Sequence, residues 1–490
     1  IPAIYPDGFL PQINNVSTDK HLGFGVRGTM ANGTSVDVSY TYGSNELTFD
    51  ILNTLNRSLG PTSPTEFYAG ALEVEQDVFN LDFSNQLDWG LAYPVTLSYG
   101  AEWRQDSFTQ SPGEPLSYAL GTFANIPGAQ VFPGFRPSDG GSFDRRNVSV
   151  YAGVEGEVTE RLSLGVAARY EDYTDFGTTS NWKLSSRYEF NRAVAVRATV
   201  STGFRAPSLQ QQYFQSTATN FIGGVPFDIA TLRVNNPAAI ALGAEPLRAE
   251  ESTNASIGLV LQPVEGLYVT VDAYQIEVED RITLSENLTS TAVRNYLNAN
   301  GFPGVGGGRY FTNAIDTTTD GVDVVGTYRW ALDASTLNLT AGYNYNKTTI
   351  DHIADNPATL SAIDPNAVRF GRVEIGRFVV GSPRDKLYLG ADWKAGPLTL
   401  AANATQWGEF TVRGSTAALD QTFDRKWTLD LSANYALGNW DFTVGGDNVL
   451  DEYPDEVLFA NSSGGQLPYS GSSPFGFNGA FVYGNVRYRW

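Results

Sequence analysis

AFVYGNVRYRW, residues 480–490, alternates at every step. Ala480, Val482, Gly484, Val486, Tyr488 and Trp490 fall on one side; Phe481, Tyr483, Asn485, Arg487 and Arg489 fall on the other. Successive side chains of a β-strand face opposite sides of its sheet. One face is therefore apolar and ends in the aromatic pair Tyr488 and Trp490, while the other carries two arginines. A soluble sandwich buries such an apolar face against a second sheet; a membrane barrel turns it to lipid and keeps the polar face for its lumen. The aromatic end fits the last strand of an outer-membrane barrel, closing against an earlier strand and handled by the barrel-assembly machinery.

The same period of two recurs along the chain. Leu337, Leu339, Ala341, Tyr343 and Tyr345 alternate with Asn338, Thr340, Gly342, Asn344 and Asn346. Trp427, Leu429, Leu431, Ala433 and Tyr435 alternate with Thr428, Asp430, Ser432 and Asn434. Val95, Leu97, Tyr99, Ala101 and Trp103 face away from Thr96, Ser98, Gly100, Glu102 and Arg104. Leu162, Leu164, Val166, Ala168 and Tyr170 face away from Ser163, Gly165, Arg169 and Glu171. Aromatics gather near strand ends, where interfacial girdles sit.

The connections come in two kinds that take turns. Tight ones fall near 30–33, 159–161, 191–192, 262–266, 332–335, 395–397 and 437–440. Long ones span about 53–67, 108–143, 206–247, 283–308, 350–381, 413–424 and 451–477, with 174–178 short where a long one is due. Outer-membrane barrels have short periplasmic turns and long extracellular loops; a soluble sandwich has no reason to sort its loops by side. The spacing predicts about seventeen strands. The first, near 19–29, starts on the long-loop side, and the last ends on the tight-turn side. Bacterial single-chain barrels have even strand numbers, so an odd number is expected ahead of Ile1, about five for a 22-stranded barrel of the plugged-transporter size.

Composition narrows the function. The chain has 53 Asp and Glu against 32 Lys and Arg, a net charge of −21, which excludes a nucleic-acid partner needing a basic footprint. It has no Cys and two His, His21 and His352, which leaves no His triad and no Cys/His metal centre. The absence of Cys fits export through an oxidising compartment. No apolar run reaches the roughly 20 residues of a membrane helix, but a barrel strand needs only about 9–11, half of them polar. Neither a cofactor nor a metal is expected, and catalysis finds no motif.

Several segments resemble the barrel of TonB-dependent outer-membrane receptors. TGFRAPS at 202–208 leaves a strand and opens a long loop; LRAEESTNASIGL at 247–259 re-enters, with Ala249 where the family has Pro. TNAIDTTTDGVDV at 312–324, SPRDKLYLGADW at 382–393 and GGDNVLDEYP at 445–454 follow in family order. YPDGFLPQI at 5–13 is similar to an internal loop of a receptor subgroup. The resemblance implies that residues 1–490 are a partial barrel, with the N-terminal plug and first strands missing from it. It implies a Gram-negative outer membrane, lipid and a plug as partners, energy from TonB, and capture of a scarce nutrient. An iron–siderophore complex is the commonest class; carbohydrate and cobalamin are others. A passive porin-like channel and a secreted glycan-binding β-protein are the alternatives.

On that basis Glu102, Arg104, Arg169, Glu171, Lys183, Arg187, Glu189, Arg197, Asp272, Asp430, Arg487 and Arg489 are expected to face the lumen, holding a plug or pairing with one another. Phe132, Phe135, Arg136, Tyr213, Phe214 and Phe221 lie in the two longest loops as candidate ligand contacts, or as residues that pack those loops together. Three other patterns point elsewhere. Gly23–Gly28 matches G-x-G-x-x-G but sits in a strand with no helix after it. Asp316, Asp320 and Asp323 lack calcium-loop spacing. The Phe204-Arg205-Ala206-Pro207 box resembles that of haem receptors, yet no His follows in 208–247.

Overall fold

The alternation is realised as seventeen strands in one antiparallel sheet. The computed structural model describes residues 3–123, 125–222, 225–302 and 305–490; the side chains of 218–229 fall outside that description. The first eight strands are β1 (Gln12–Thr29), β2 (Ser35–Leu52), β3 (Phe67–Leu87), β4 (Val95–Pro112), β5 (Gly141–Thr159), β6 (Leu162–Tyr173), β7 (Gly177–Asn191) and β8 (Val194–Arg205). The wall continues through Glu250–Leu261, Leu267–Leu284, Phe311–Leu332, Ser335–Ile353, Asp385–Ala395, Leu398–Trp407, Lys426–Leu437, Trp440–Asp447 and Phe481–Tyr488. Each of these strands pairs with its neighbours in this order.

Tight turns close one rim by local chemistry. In the first, Met30 N–H donates to Thr34 O at 2.8 Å, and Asn32 Oδ1 accepts from Thr34 N at 3.1 Å. Gly33 supplies the positive φ of 85° that this turn requires. All the long connections leave from the other rim. The sheet differs from expectation in its bounds. β1 begins at Gln12 rather than near 19, β4 and β5 run into the expected 108–143 loop, and a seven-residue turn at 88–94 joins β3 to β4. The last strand stops at Tyr488, leaving Arg489 and Trp490 beyond it.

Through the middle of the wall, register carries the two faces from strand to strand; shifts occur toward strand ends, as at Phe49/Asp50 and Glu189/Asn191. Trp103 pairs with Val148, Val166 with Leu184, Leu184 with Val200, and Ala402 with Leu431. These outward residues stay exposed: Val166 is 57% accessible, Ile257 59% and Val486 61%. Trp440 packs on Tyr488 with ring centroids 4.7 Å apart in the row nearest the tight turns. Strands of 18 to 22 residues exceed the roughly 9–11 needed to span a membrane, so their loop-side ends stand clear of it. There the outward face becomes acidic: Glu73, Glu75 and Asp77 of β3 continue the row of Phe79 and Leu81, and Tyr42 Oη donates to Glu75 at 2.7 Å. These three carboxylates therefore sit outside the apolar band.

Gly23–Gly28 lies within β1, paired to Thr41 through Val36, and has no helix after it. The three aspartates act separately. Asp316 accepts from Asp280 N at 2.9 Å, Asp320 from Gln275 at 2.9 Å and Asp323 from Asn344 at 2.5 Å.

Candidate functional site

On the polar face, near the long-loop rim, β4, β5 and β6 bring nine chemistry-bearing side chains side by side. Glu102 pairs in register with Ser149, and Ser149 with Glu171; Arg104 pairs with Asn147, Asn147 with Tyr173, and Asp106 with Arg145. Parity thus puts all of them on one side. Arg169 reaches Glu102 at 3.2 Å, Glu171 at 2.5 Å and Ser149 Oγ at 2.6 Å. Tyr173 Oη donates to Glu171 at 2.8 Å and accepts from Arg104 at 3.0 Å. The Arg104 and Arg145 guanidinium groups lie 5.9 and 5.4 Å from the Tyr173 ring centroid, within cation–π range. This network lines a cavity of about 1060 Å³ that also touches His21, Phe204 and Arg205.

Arg145 joins the wall to the loops. It is buried, bridges Asp106 at 3.1 Å and Asp175 at 3.6 Å, and donates to Pro207 O at 2.7 Å. Pro207 belongs to the Phe204–Pro207 box, so the start of loop 206–249 hangs on this guanidinium. Gln212 adds a second tie, donating to Asp175 at 2.9 Å. Sequence reasoning missed Arg145, Asp106 and Tyr173. The available signal was the parity of Asp144-Arg145-Arg146-Asn147, hidden because the strand was expected to begin at about that point.

Of the other expected inward charges, Arg187, Arg197 and Arg489 pair with carboxylates of the wall. Arg197 holds Asp272 with two bonds, 2.8 and 2.7 Å. Arg187 pairs with Glu189, and Lys183 lines a groove with Tyr151 and Arg169. Asp430 accepts Asn448 N at 2.8 Å, fixing where loop 448–480 leaves the wall. Arg489 reaches Asp441 at 2.6 Å, and Arg487 faces Asp441 in register. Tyr488 packs on Trp440, while Trp490 is fully exposed.

The loop residues pack into a roof. Phe132, Phe135 and Phe49 form a mutual cluster with centroids 5.2–5.7 Å apart, Phe214 meets Phe135 edge-on at 6.0 Å, and Phe135 is 2% exposed. Tyr213 stacks on Phe143 at 4.1 Å. Arg233 lies 5.1 Å from the Phe143 ring and donates to Tyr213 O at 2.8 Å. The Arg136 backbone N–H donates to Asp139 at 3.1 Å. Phe221 lies among the residues whose side chains are outside the description. Phe135 and Phe214 thus join loop 113–140 to loop 206–249, Tyr213 ties the second loop to β5, and Phe132 ties the first to Phe49 of β2. Whatever they do for a ligand, they first hold the loops together.

A second core joins loops 206–249, 285–310 and 354–384 through Leu242, Val293, Leu297, Tyr310 and Leu360. Tyr310 Oη donates to Leu242 O at 3.0 Å, and burial pushes its phenol up to about 12. Leu297 is fully buried here. Leu297→Ala is expected to cost about 2–5 kcal/mol of local stability. The check is faster hydrogen exchange across 291–299 and 358–363, with exchange in the wall strands unchanged.

A sheet with one lipid-facing surface, one polar surface and loops sorted by rim defines a transmembrane antiparallel β-barrel. The family model described as TonB dependent receptor-like, beta-barrel matches residues 3–449, and the chain belongs to that family. Among solved structures, it is similar to a mutant of the ferric enterobactin receptor of Pseudomonas aeruginosa at 16% identity and a TM-score of 0.60. That match covers 89% of this chain and 57% of the receptor. The siderophore receptor PirA of Acinetobacter baumannii matches at 15% identity and a TM-score of 0.61, over 97% of this chain and 62% of that one. A structure of the FpvAI–pyocin S2 complex matches at 14% and 0.58, over 89% and 53%. The chain therefore spans less than two thirds of the length of these structures. No curated protein matches it.

Proposed function

We propose that this barrel belongs to an outer-membrane receptor of a Gram-negative bacterium that takes up an iron–siderophore complex. The observation that carries the reading is the one-sided roof: long loops on a single rim, welded by two buried cores above a charged wall. A rigid extracellular roof suits selective capture, whereas a passive channel gains nothing from closing its own mouth. One solved structure of this fold is named a siderophore receptor and another a ferric enterobactin receptor, which favours that ligand class. Glu102, Arg104, Arg169 and Glu171 face the lumen, where they would contact a plug; through it TonB would deliver the energy for release. The role is binding and transport.

The test uses the natural full-length gene product in cells lacking their own siderophore receptors. Expected is growth on a panel of ferric siderophores under iron limitation, abolished when TonB is removed. Growth on none of them, together with TonB-dependent uptake of cobalamin or oligosaccharide, would move the ligand class. Steady bilayer conductance without any TonB dependence would replace the receptor with a pore.

A further inference from the structure

The sequence holds three Asn-Gly pairs, at 32–33, 300–301 and 478–479. In such a pair the glycine backbone nitrogen can attack the asparagine Cγ, because no Cβ shields it. A hydrogen bond on either group opposes the attack by holding that group in place. Asn32 Oδ1 accepts from Thr34 N at 3.1 Å, and Gly33 N–H donates to Met30 O at 2.9 Å. Asn300 Nδ2 donates to Tyr296 O at 2.8 Å, and Gly301 N–H reaches Asn298 O at 3.5 Å. Asn478 is exposed, and among the described residues neither its side chain nor the Gly479 N–H has a hydrogen-bond partner.

This pair sits where loop 448–480 rejoins the wall. Gly479 has a φ of 71°, and a Cβ there would overlap the Asp451 carboxylate and the Tyr453 hydroxyl. Ala480 N–H donates to Asp451 Oδ1 at 2.9 Å. Phe481 then opens the last wall strand opposite Asp447. The two ends of the loop are thus packed backbone against side chain, with a carboxylate already in the joint.

We infer that Asn478 is a site of spontaneous deamidation, and that its conversion loosens this joint. Hydroxide takes the proton from the Gly479 nitrogen, which then bonds to Asn478 Cγ. The Cγ–Nδ2 bond breaks, and ammonia leaves with a proton from water. A second water opens the resulting succinimide at either carbonyl, giving aspartate or isoaspartate; nothing is oxidised or reduced. Isoaspartate adds one atom to the backbone just ahead of the strand. Either product adds a carboxylate one residue from the Asp451 contact, so like charges share the joint. The chemistry depends on this loop alone and stands apart from the identity of any transported nutrient.

The test ages the natural full-length protein, folded in detergent, at mildly alkaline pH. Peptide mapping with isoaspartate detection follows all three pairs. In the folded protein Asn478 is expected to convert about tenfold faster than Asn32, the factor for opening one hydrogen bond of about 1.4 kcal/mol before attack. In urea-unfolded protein the three rates should draw together. Aged protein should gain hydrogen exchange at the Ala480 amide. Aged Asn478→Gln, whose longer side chain disfavours ring closure, should not. Conversion at Asn478 no faster than at Asn32 or Asn300 in the folded protein would overturn the site. Conversion that leaves exchange at Ala480 unchanged would overturn its effect on the joint.

Discussion

Arg145→Ala is expected to release loop 206–249 from the wall. The guanidinium is 7% exposed and holds two carboxylates and one carbonyl at once. Removing it leaves Asp106 with Arg104, 3.5 Å away, as its only cation, and Asp175 with only the amide of Gln212. Breaking a buried pair from one side costs about 3–5 kcal/mol, because the remaining charge stays desolvated. Fast hydrogen exchange should appear in 206–215, with the wall below Glu102 still protected. Arg145→Lys should restore only part of the protection, because an ammonium cannot span Asp106, Asp175 and Pro207 O in a planar fork. If exchange in 206–215 is unchanged in Arg145→Ala, the loop is carried by Gln212 and the Phe143–Tyr213 stack instead.

Leu431→Lys and Ser432→Lys should behave oppositely although the two residues are adjacent. Leu431 pairs with Ala402 on the lipid side; Ser432 pairs with Ala401 on the lumen side. A lysine near the middle of the apolar band costs about 2–4 kcal/mol, while lumen positions tolerate charge. Urea-driven unfolding of the refolded barrel in lipid vesicles should therefore be shifted strongly by the first and little by the second. Equal shifts would mean that the faces have been read the wrong way round.

The architecture was legible because its two signals are local. Parity needs only neighbours, as in residues 480–490, and the sorting of connections needs only their lengths. The strand number followed from both. Strand ends were less legible, because β4 and β5 keep their pairing past the point where composition turns loop-like. The charged network was legible only in part. Glu102, Arg104, Arg169 and Glu171 could be assigned a side, but the partnership of Asp106 with Arg145 depends on cross-strand register over 39 residues. The roof was the least legible. Tyr310, Leu242 and Leu360 meet from three irregular loops that have no period to read, and the aromatics at 132, 135 and 214 gave no sign of which would face inward.

The tight turns have one more consequence. Each strand in the wall answers to its two neighbours in sequence, and side-chain facing follows a count of two. A residue gained or lost inside one strand would exchange lipid-facing and lumen-facing side chains from that point on. The count would restart at the next turn, because Met30–Thr34 and its counterparts are closed by their own hydrogen bonds rather than by distant contacts. The turns thus work as punctuation in a reading frame. They confine a slip to one hairpin and let a wall of this length diverge in sequence without losing track of which side is which.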